Sequence, residues 1–245
     1  MAQITSIEWT QTTWNPVSGC SKVSPGCNNC YAERMARRLQ AMGQQRYRNG
    51  FDVTLQGDIV ELPLSWKKPR MIFVNSMSDL FHEDVPSEFI QSVFRIMNMA
   101  SRHIFQVLTK RSDRLREMSE SFLWTDNIWM GVSVENDDCA NRIDDLLQTD
   151  AVVKFLSLEP LLGSLEDVSF EGIGWIIVGG ESGPGARPMQ KSWVTEIRDQ
   201  CGERDIPFFF KQWGGVNRKK NGNTLENRIW NQYPEVDSPI LAFSF

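Results

Sequence analysis

The chain has 245 residues, 41% of them apolar and 23% charged, with a formal net charge of −5. That composition supplies a sizeable core, and the length suits an α/β barrel folded as one domain. Met1 is followed by polar residues and no apolar run is long enough to cross a bilayer, so the sequence predicts neither a secretory signal nor a membrane span, a cytoplasmic location, and no general attraction to nucleic acid through net charge.

In chain order, "SIEWTQTTWNP" reads as an entering strand and "YAERMARRLQAMG" as a helix with Tyr31, Met35, Leu39 and Met42 along one stripe and Gly43 near its end. A longer insertion spans about residues 44–70. "MIFVNS" (71–76) is a short apolar run and reads as a buried strand. In "VPSEFIQSVFRIMNMASR", Ser87 offers an N-cap, and Phe89, Ile90, Val93, Phe94 and Met97 follow at helical spacing. Strand-like runs at 103–109, 127–135, 151–160, 174–181 and 206–213 alternate with the helical segments "SDRLREMSE", "CANRIDDLLQ" and "SWVTEIRDQCGE". This alternation implies right-handed β-α-β crossovers and a parallel sheet. The predicted fold is α/β, a full or partial parallel β/α (TIM-like) barrel over residues 1–245, with an irregular tail from about residue 214.

Polar residues close almost every predicted strand. In parallel barrels the loops leaving the strands converge on one face, which carries the active site. Ser78, Asp79, Lys110, Ser133, Glu135, Glu159 and Glu181 all follow strands and should therefore meet there. Glu159 precedes Pro160, which favours an extended backbone at that point. Glu181 follows Gly179 and Gly180, where the backbone can approach a ligand closely. Trp14, Trp66 and Trp213 lie near predicted mouth loops and are candidates for stacking on a flat ligand. His82, between Asp79 and Glu83, is a candidate site residue, whereas His103 reads as structural.

Three of the five cysteines, Cys20, Cys27 and Cys30, fall within eleven positions in the spacing C-x6-C-x2-C. In a reducing compartment such thiols point to metal binding or catalysis more than to disulfides. A structural zinc site takes four ligands, and the remaining candidates, Cys139, Cys201, His82 and His103, are distant in sequence. Soft thiolates also suit iron–sulfur clusters. A four-iron cluster normally takes four cysteines, so three leave one iron open. The residues alone leave iron–sulfur, zinc and an incidental group of thiols as alternatives.

Three cysteines after the first strand of a β/α barrel, followed by Tyr31 and a helix, resemble the radical S-adenosylmethionine (SAM) superfamily. The commonest motif there is C-x3-C-x2-C; here the first gap is longer and the aromatic residue follows the last cysteine. "TWNPVSGCSKVSPGCNNCYAERMA", "VGGESGPGARPM" and "FFFKQWGG" resemble a family of phage-encoded and bacterial proteins of largely unknown activity.

The superfamily resemblance implies that Cys20, Cys27 and Cys30 ligate a [4Fe-4S] cluster whose open iron takes SAM, and that an external electron donor is a partner. It implies Ser76, Ser78 and Asp79 of "SMSDL" as the residues nearest the SAM amino group. "QVLTKRSDRL" with "GVSVEN" is similar to the spore photoproduct lyase branch, which acts on DNA. That similarity implies Thr109, Lys110, Ser133 and Glu135 near SAM, and a nucleic acid or nucleotide as substrate. Gly180 and Glu181 would form an edge against SAM or substrate. Two other readings remain: a non-catalytic zinc module that binds nucleic acid or a protein partner, and a barrel hydrolase using Glu159 and Glu181 as paired carboxylates. The second leaves the cysteines unexplained.

Overall fold

Each apolar run predicted as a strand enters one sheet in a computed structural model that describes residues 5–235. The sheet has seven strands: β1 Thr12–Trp14, β2 Met71–Val74, β3 Ile104–Thr109, β4 Ile128–Ser133, β5 Val153–Leu158, β6 Trp175–Gly179 and β7 Phe208–Gln212. They stand in chain order, and every neighbouring pair is parallel. Helices α1 Tyr31–Ala41, α2 Ser87–Met99, α3 Ser112–Met118, α4 Asn141–Leu147 and α5 Lys191–Glu203 lie in the connections.

Both faces of such a sheet are covered, which is why the strands read as nearly continuous apolar runs. Alternate residues divide between two cores. On the outer face Ile72, Phe105, Val107, Met130, Leu156, Ile176 and Phe210 pack with Ile90, Val93, Phe94, Leu115, Ile143, Leu146, Val194 and Ile197 of the helices. On the inner face Met71, Phe73, Ile104, Trp129, Val153, Phe155, Trp175, Ile177 and Phe209 gather around Trp9. The Trp9 ring sits 6.3 Å from that of Trp175. Trp9 precedes β1 and Trp175 lies on β6, five places along the sheet, so the sheet curls until its ends face one another. The chain is a partial parallel β/α barrel. Gly131 lets Phe155 lie flat against the inner wall, since a Cβ there would stand 2.5 Å from the ring.

Several expectations change in detail. Apolar residues at helical spacing in α1 suggested a packed stripe, yet Tyr31, Met35 and Met42 are exposed at 52, 42 and 62%; the helix packs through Ala32 and Ala36. Small side chains let this helix lie close; Leu39 of the predicted stripe packs beside them, partly buried, and Tyr31, Met35 and Met42 are left outside. Ser87 is the first helical residue and Pro86 takes the cap position, without a side-chain cap bond. In the insertion, Thr54–Leu55 pairs antiparallel with Val17–Ser18. The tail is less irregular than expected. Phe210 N–H donates to the Trp230 carbonyl at 2.8 Å and Gln232 N–H to that of Phe208 at 3.2 Å, so this segment covers the free edge of β7. The last ten residues of the predicted tail lie outside the described residues. Among the described residues no helix is long and apolar enough to cross a membrane.

Candidate metal centre

The cysteine loop leaves β1 at the C-terminal end of the sheet. Gly19 has a φ of +85°, and a Cβ there would stand 2.2 Å from the Asp52 carbonyl oxygen, so the loop presses directly on the insertion. The Cys20 N–H donates to the Phe51 carbonyl at 3.0 Å. Cys27 closes a 3-10 turn that begins with Pro25, and Cys30 is the residue before α1. All five cysteines are free thiols. Cys20, Cys27 and Cys30 line one cavity of about 400 Å³, together with Ser21, Lys22 and residues 49–52.

Ion pairs from the strand ends fasten this loop. Glu135, after β4, is fully buried. It accepts from Ser24 Oγ at 2.6 Å and from Arg142 Nη1 at 2.8 Å, and lies 2.9 Å from Lys110 Nζ. Burial opposes its charge, but the Lys110 and Arg142 cations outweigh this and hold its pKa down at about 2. Gly26 permits the contact, because a Cβ there would reach to 2.3 Å from Glu135 Oε1. Glu181, after β6, accepts from Arg187 Nε at 2.9 Å and from Arg187 Nη2 at 2.6 Å. It also accepts from Asn29 Nδ2 at 3.0 Å. Arg187 Nη2 donates onward to the Pro25 carbonyl at 2.9 Å. Here too burial works against ionisation, and the Arg187 bonds hold the pKa at about 2.

Asp79, after β2, is buried. It accepts from Phe81 N–H at 3.0 Å, Thr109 Oγ1 at 2.7 Å and Lys110 N–H at 3.0 Å. It also pairs with Arg111 at 3.3 Å, and Arg111 Nη1 in turn donates to Cys20 Sγ at 3.5 Å. Burial, then the Asp79 charge, pushes the Cys20 thiol up to about 11, against the pull of Arg111. A metal would have to displace that proton on binding.

The other candidates divide. Ser76 Oγ donates to Asn15 Oδ1 at 3.1 Å and Ser78 Oγ to the Val17 carbonyl at 2.7 Å, so both brace the β1 loop. The Tyr31 hydroxyl donates to the Ser76 carbonyl. Ser133 is buried, and its carbonyl accepts from Arg142 at 2.7 Å. Glu159 is half-buried at the rim, paired with Lys211 at 2.8 Å and accepting from Ser157 Oγ at 3.3 Å. Gly180 makes a different close approach from the one expected: its missing Cβ makes room for the Trp213 carbonyl, 2.1 Å from where that atom would be.

Trp14 and Trp66 are buried in the outer core and do not line the mouth. Trp213 is half-buried and borders a second cavity of about 480 Å³ with Pro188 and Met189. His82 is buried 2.8 Å from Ser21 Oγ, and His103 meets the Pro63 carbonyl, a structural role as expected. Ser24, Asn29, Arg142 and Arg187 escaped sequence reasoning. Each acts on a partner far along the chain or across a turn, and no spacing announces such a pair.

Three soft donors around one open cavity, held from outside by charged groups, fit an iron–sulfur cluster. Among the described residues, no three His, Cys, Asp or Glu side chains converge closely enough to share a single ion.

The family described as "Protein of unknown function (DUF5131)" matches residues 4–234, and the chain belongs to that family. No curated protein matches. Two solved structures resemble the chain: a spore photoproduct lyase mutant with bound AdoMet and dinucleoside spore photoproduct, at 10% identity and TM-score 0.49, and spore photoproduct lyase complexed with dinucleoside spore photoproduct, at 9% identity and TM-score 0.48. In both, 83% of this chain is covered, and it spans 64% of the lyase chain.

Proposed function

We propose that this member of the family is a radical SAM-type iron–sulfur enzyme. In this reading Cys20, Cys27 and Cys30 hold a [4Fe-4S] cluster, and SAM binds across the strand ends beside it. The observation that carries the reading is the meeting of three free thiols at one cavity on the C-terminal face of a parallel half-barrel. A bound cluster of this kind supplies one electron to the SAM sulfonium.

The protein's own residues do the rest. Asp79, Glu135 and Glu181 have their acceptor sites filled by protein donors, so they fix the loop. Glu159 and Lys211, half-buried at the rim, are the groups placed to meet the amino acid end or the ribose of SAM, where charge-assisted hydrogen bonds are strongest. The substrate we assign is a nucleic acid or a nucleotide, on the resemblance of the segments around Thr109–Lys110 and Ser133–Glu135.

The test is anaerobic purification followed by iron and sulfide analysis, electron resonance spectra and SAM calorimetry. Wild type should carry about four irons per chain and bind SAM. Replacing Cys20, Cys27 and Cys30 with Ala should abolish the iron, while Cys201→Ala, in α5, should leave it. Equal iron in the triple variant sinks the reading. A single zinc per chain would replace it with a zinc module. A loaded protein that ignores SAM removes the enzyme half.

A further inference from the structure

Arg111 stands two residues after the end of β3 and is 7% exposed. Its guanidinium is engaged at every nitrogen. Nε donates to Glu83 Oε2 at 2.8 Å, and Nη2 donates to Ser21 Oγ at 2.8 Å. Nη1 donates both to Asp79 Oδ2 at 3.3 Å and to Cys20 Sγ at 3.5 Å. A planar fork bound on three sides cannot swing away from the sulfur. The three cysteines are treated unequally: among the described residues Cys27 Sγ meets only the neutral Ser24 hydroxyl, at 3.8 Å, while Cys20 meets a buried cation.

We propose that Arg111 is a positioning residue that raises the reduction potential of a cluster held at Cys20, through a charge-assisted hydrogen bond to that sulfur. The proposal rests on the iron–sulfur reading above. Adding an electron makes a cluster more negative. A cation and donor fixed at one ligand sulfur therefore favour the reduced form, and hydrogen bonds to sulfur are an established lever on such potentials. Removing the guanidinium also leaves the Asp79 carboxylate without its cation near the same sulfur, which acts in the same direction.

The site should survive the loss. Asp79 keeps three other donors: Phe81 N–H, Thr109 Oγ1 and Lys110 N–H.

The test is an anaerobic redox titration of the iron-loaded protein followed by electron resonance, with iron counted in each preparation. Arg111→Met should keep its iron and titrate at a lower midpoint than wild type. Arg111→Lys keeps the charge without the fork and should fall between the two. An unmoved midpoint in iron-loaded Arg111→Met overturns the proposal. Should Arg111→Met lose its iron, the decision passes to Arg111→Lys, where a lowered midpoint supports the proposal and an unmoved one overturns it. A wild-type protein that never takes up iron refutes the iron–sulfur reading instead, and is told apart by the iron count before any titration begins.

Discussion

The floor and the rim of the concave interior are built on opposite principles. At the floor Trp9, Phe73, Phe155, Trp175 and Phe209 pack on one another, with ring centroids 4.5 to 6.5 Å apart. Burying such rings is favourable wherever they meet, and edge-on geometry adds to it. At the rim the same strand faces carry Lys110, Glu135, Glu159 and Lys211, and Glu181 follows β6 at the same level. None of these can be buried without a partner, and each has one. The floor holds the barrel together, while the rim holds a loop in place. Damage at the floor should therefore lower global stability, and damage at the rim should loosen residues 19–30 first.

The largest expected effect breaks the floor. Trp175 is fully buried and touches Trp9, Trp129, Phe155, Phe209 and Tyr233. Trp175→Ala should cost about 3–5 kcal/mol, as large-to-small aromatic changes in a core do. Chemical denaturation measures it, and a loss below about 1 kcal/mol would show that the floor does not carry the barrel.

Next is the rim residue most like a core residue. Glu135→Gln leaves Lys110 and the largely buried Arg142 without their counter-charge and should cost about 3 kcal/mol at pH 7. The pH dependence gives the sign. The folded-state pKa of Glu135, about 2, lies below its unfolded value of about 4.3. Its contribution is complete above about pH 4.5 and is lost as the pH falls toward 2. Urea unfolding at pH 7 and pH 3 should show the gap between wild type and variant narrowing at the lower pH. Glu181 is depressed in the same way, so the variant keeps part of the acid sensitivity. A gap of the same size at both values would contradict the assignment.

The floor was legible in the sequence and most of the rim was not. Runs such as "MIFV" and "WIIVG" announce buried parallel strands because both faces are covered, and their order fixes where the loops converge. Asp79, Glu135 and Glu181 could be placed at the mouth for that reason alone. What they do there could not be read. The sequence suggested carboxylates near a ligand, and the structure adds the protein partners they keep, Arg111, Arg142 and Arg187. Such pairs depend on how connections fold back over the sheet, and period-2 or helical patterning carries no record of that. The exposed stripe of α1 failed for a related reason. Helical spacing shows which residues share a face, and only packing decides whether that face is inside. Here Ala32 and Ala36 allow the close approach, and Met35 is left on the surface.

The smallest expected effect is also the sharpest test of the division between floor and rim. Arg187 spans three segments, binding Glu181 through Nε and Nη2 and reaching the Pro25 carbonyl in the cysteine loop. Lysine can supply the charge at Glu181, but it has no fork with which to hold both partners. The Arg187 side chain is one-third exposed, so solvent screens the pair and Arg187→Lys should cost about 1 kcal/mol or less in global stability. The loop itself should feel more of the change. Between residues 24 and 30 the amide bonds are local, Cys27 N–H to the Ser24 carbonyl and Asn28 N–H to the Pro25 carbonyl, and a stretch anchored from outside opens when the anchor weakens. Hydrogen exchange at residues 24–30 should therefore quicken about fivefold, the equivalent of about 1 kcal/mol of local opening, while β4, β5 and β6 keep their wild-type rates. Faster exchange in those strands as well would mean that rim and floor open together as one unit.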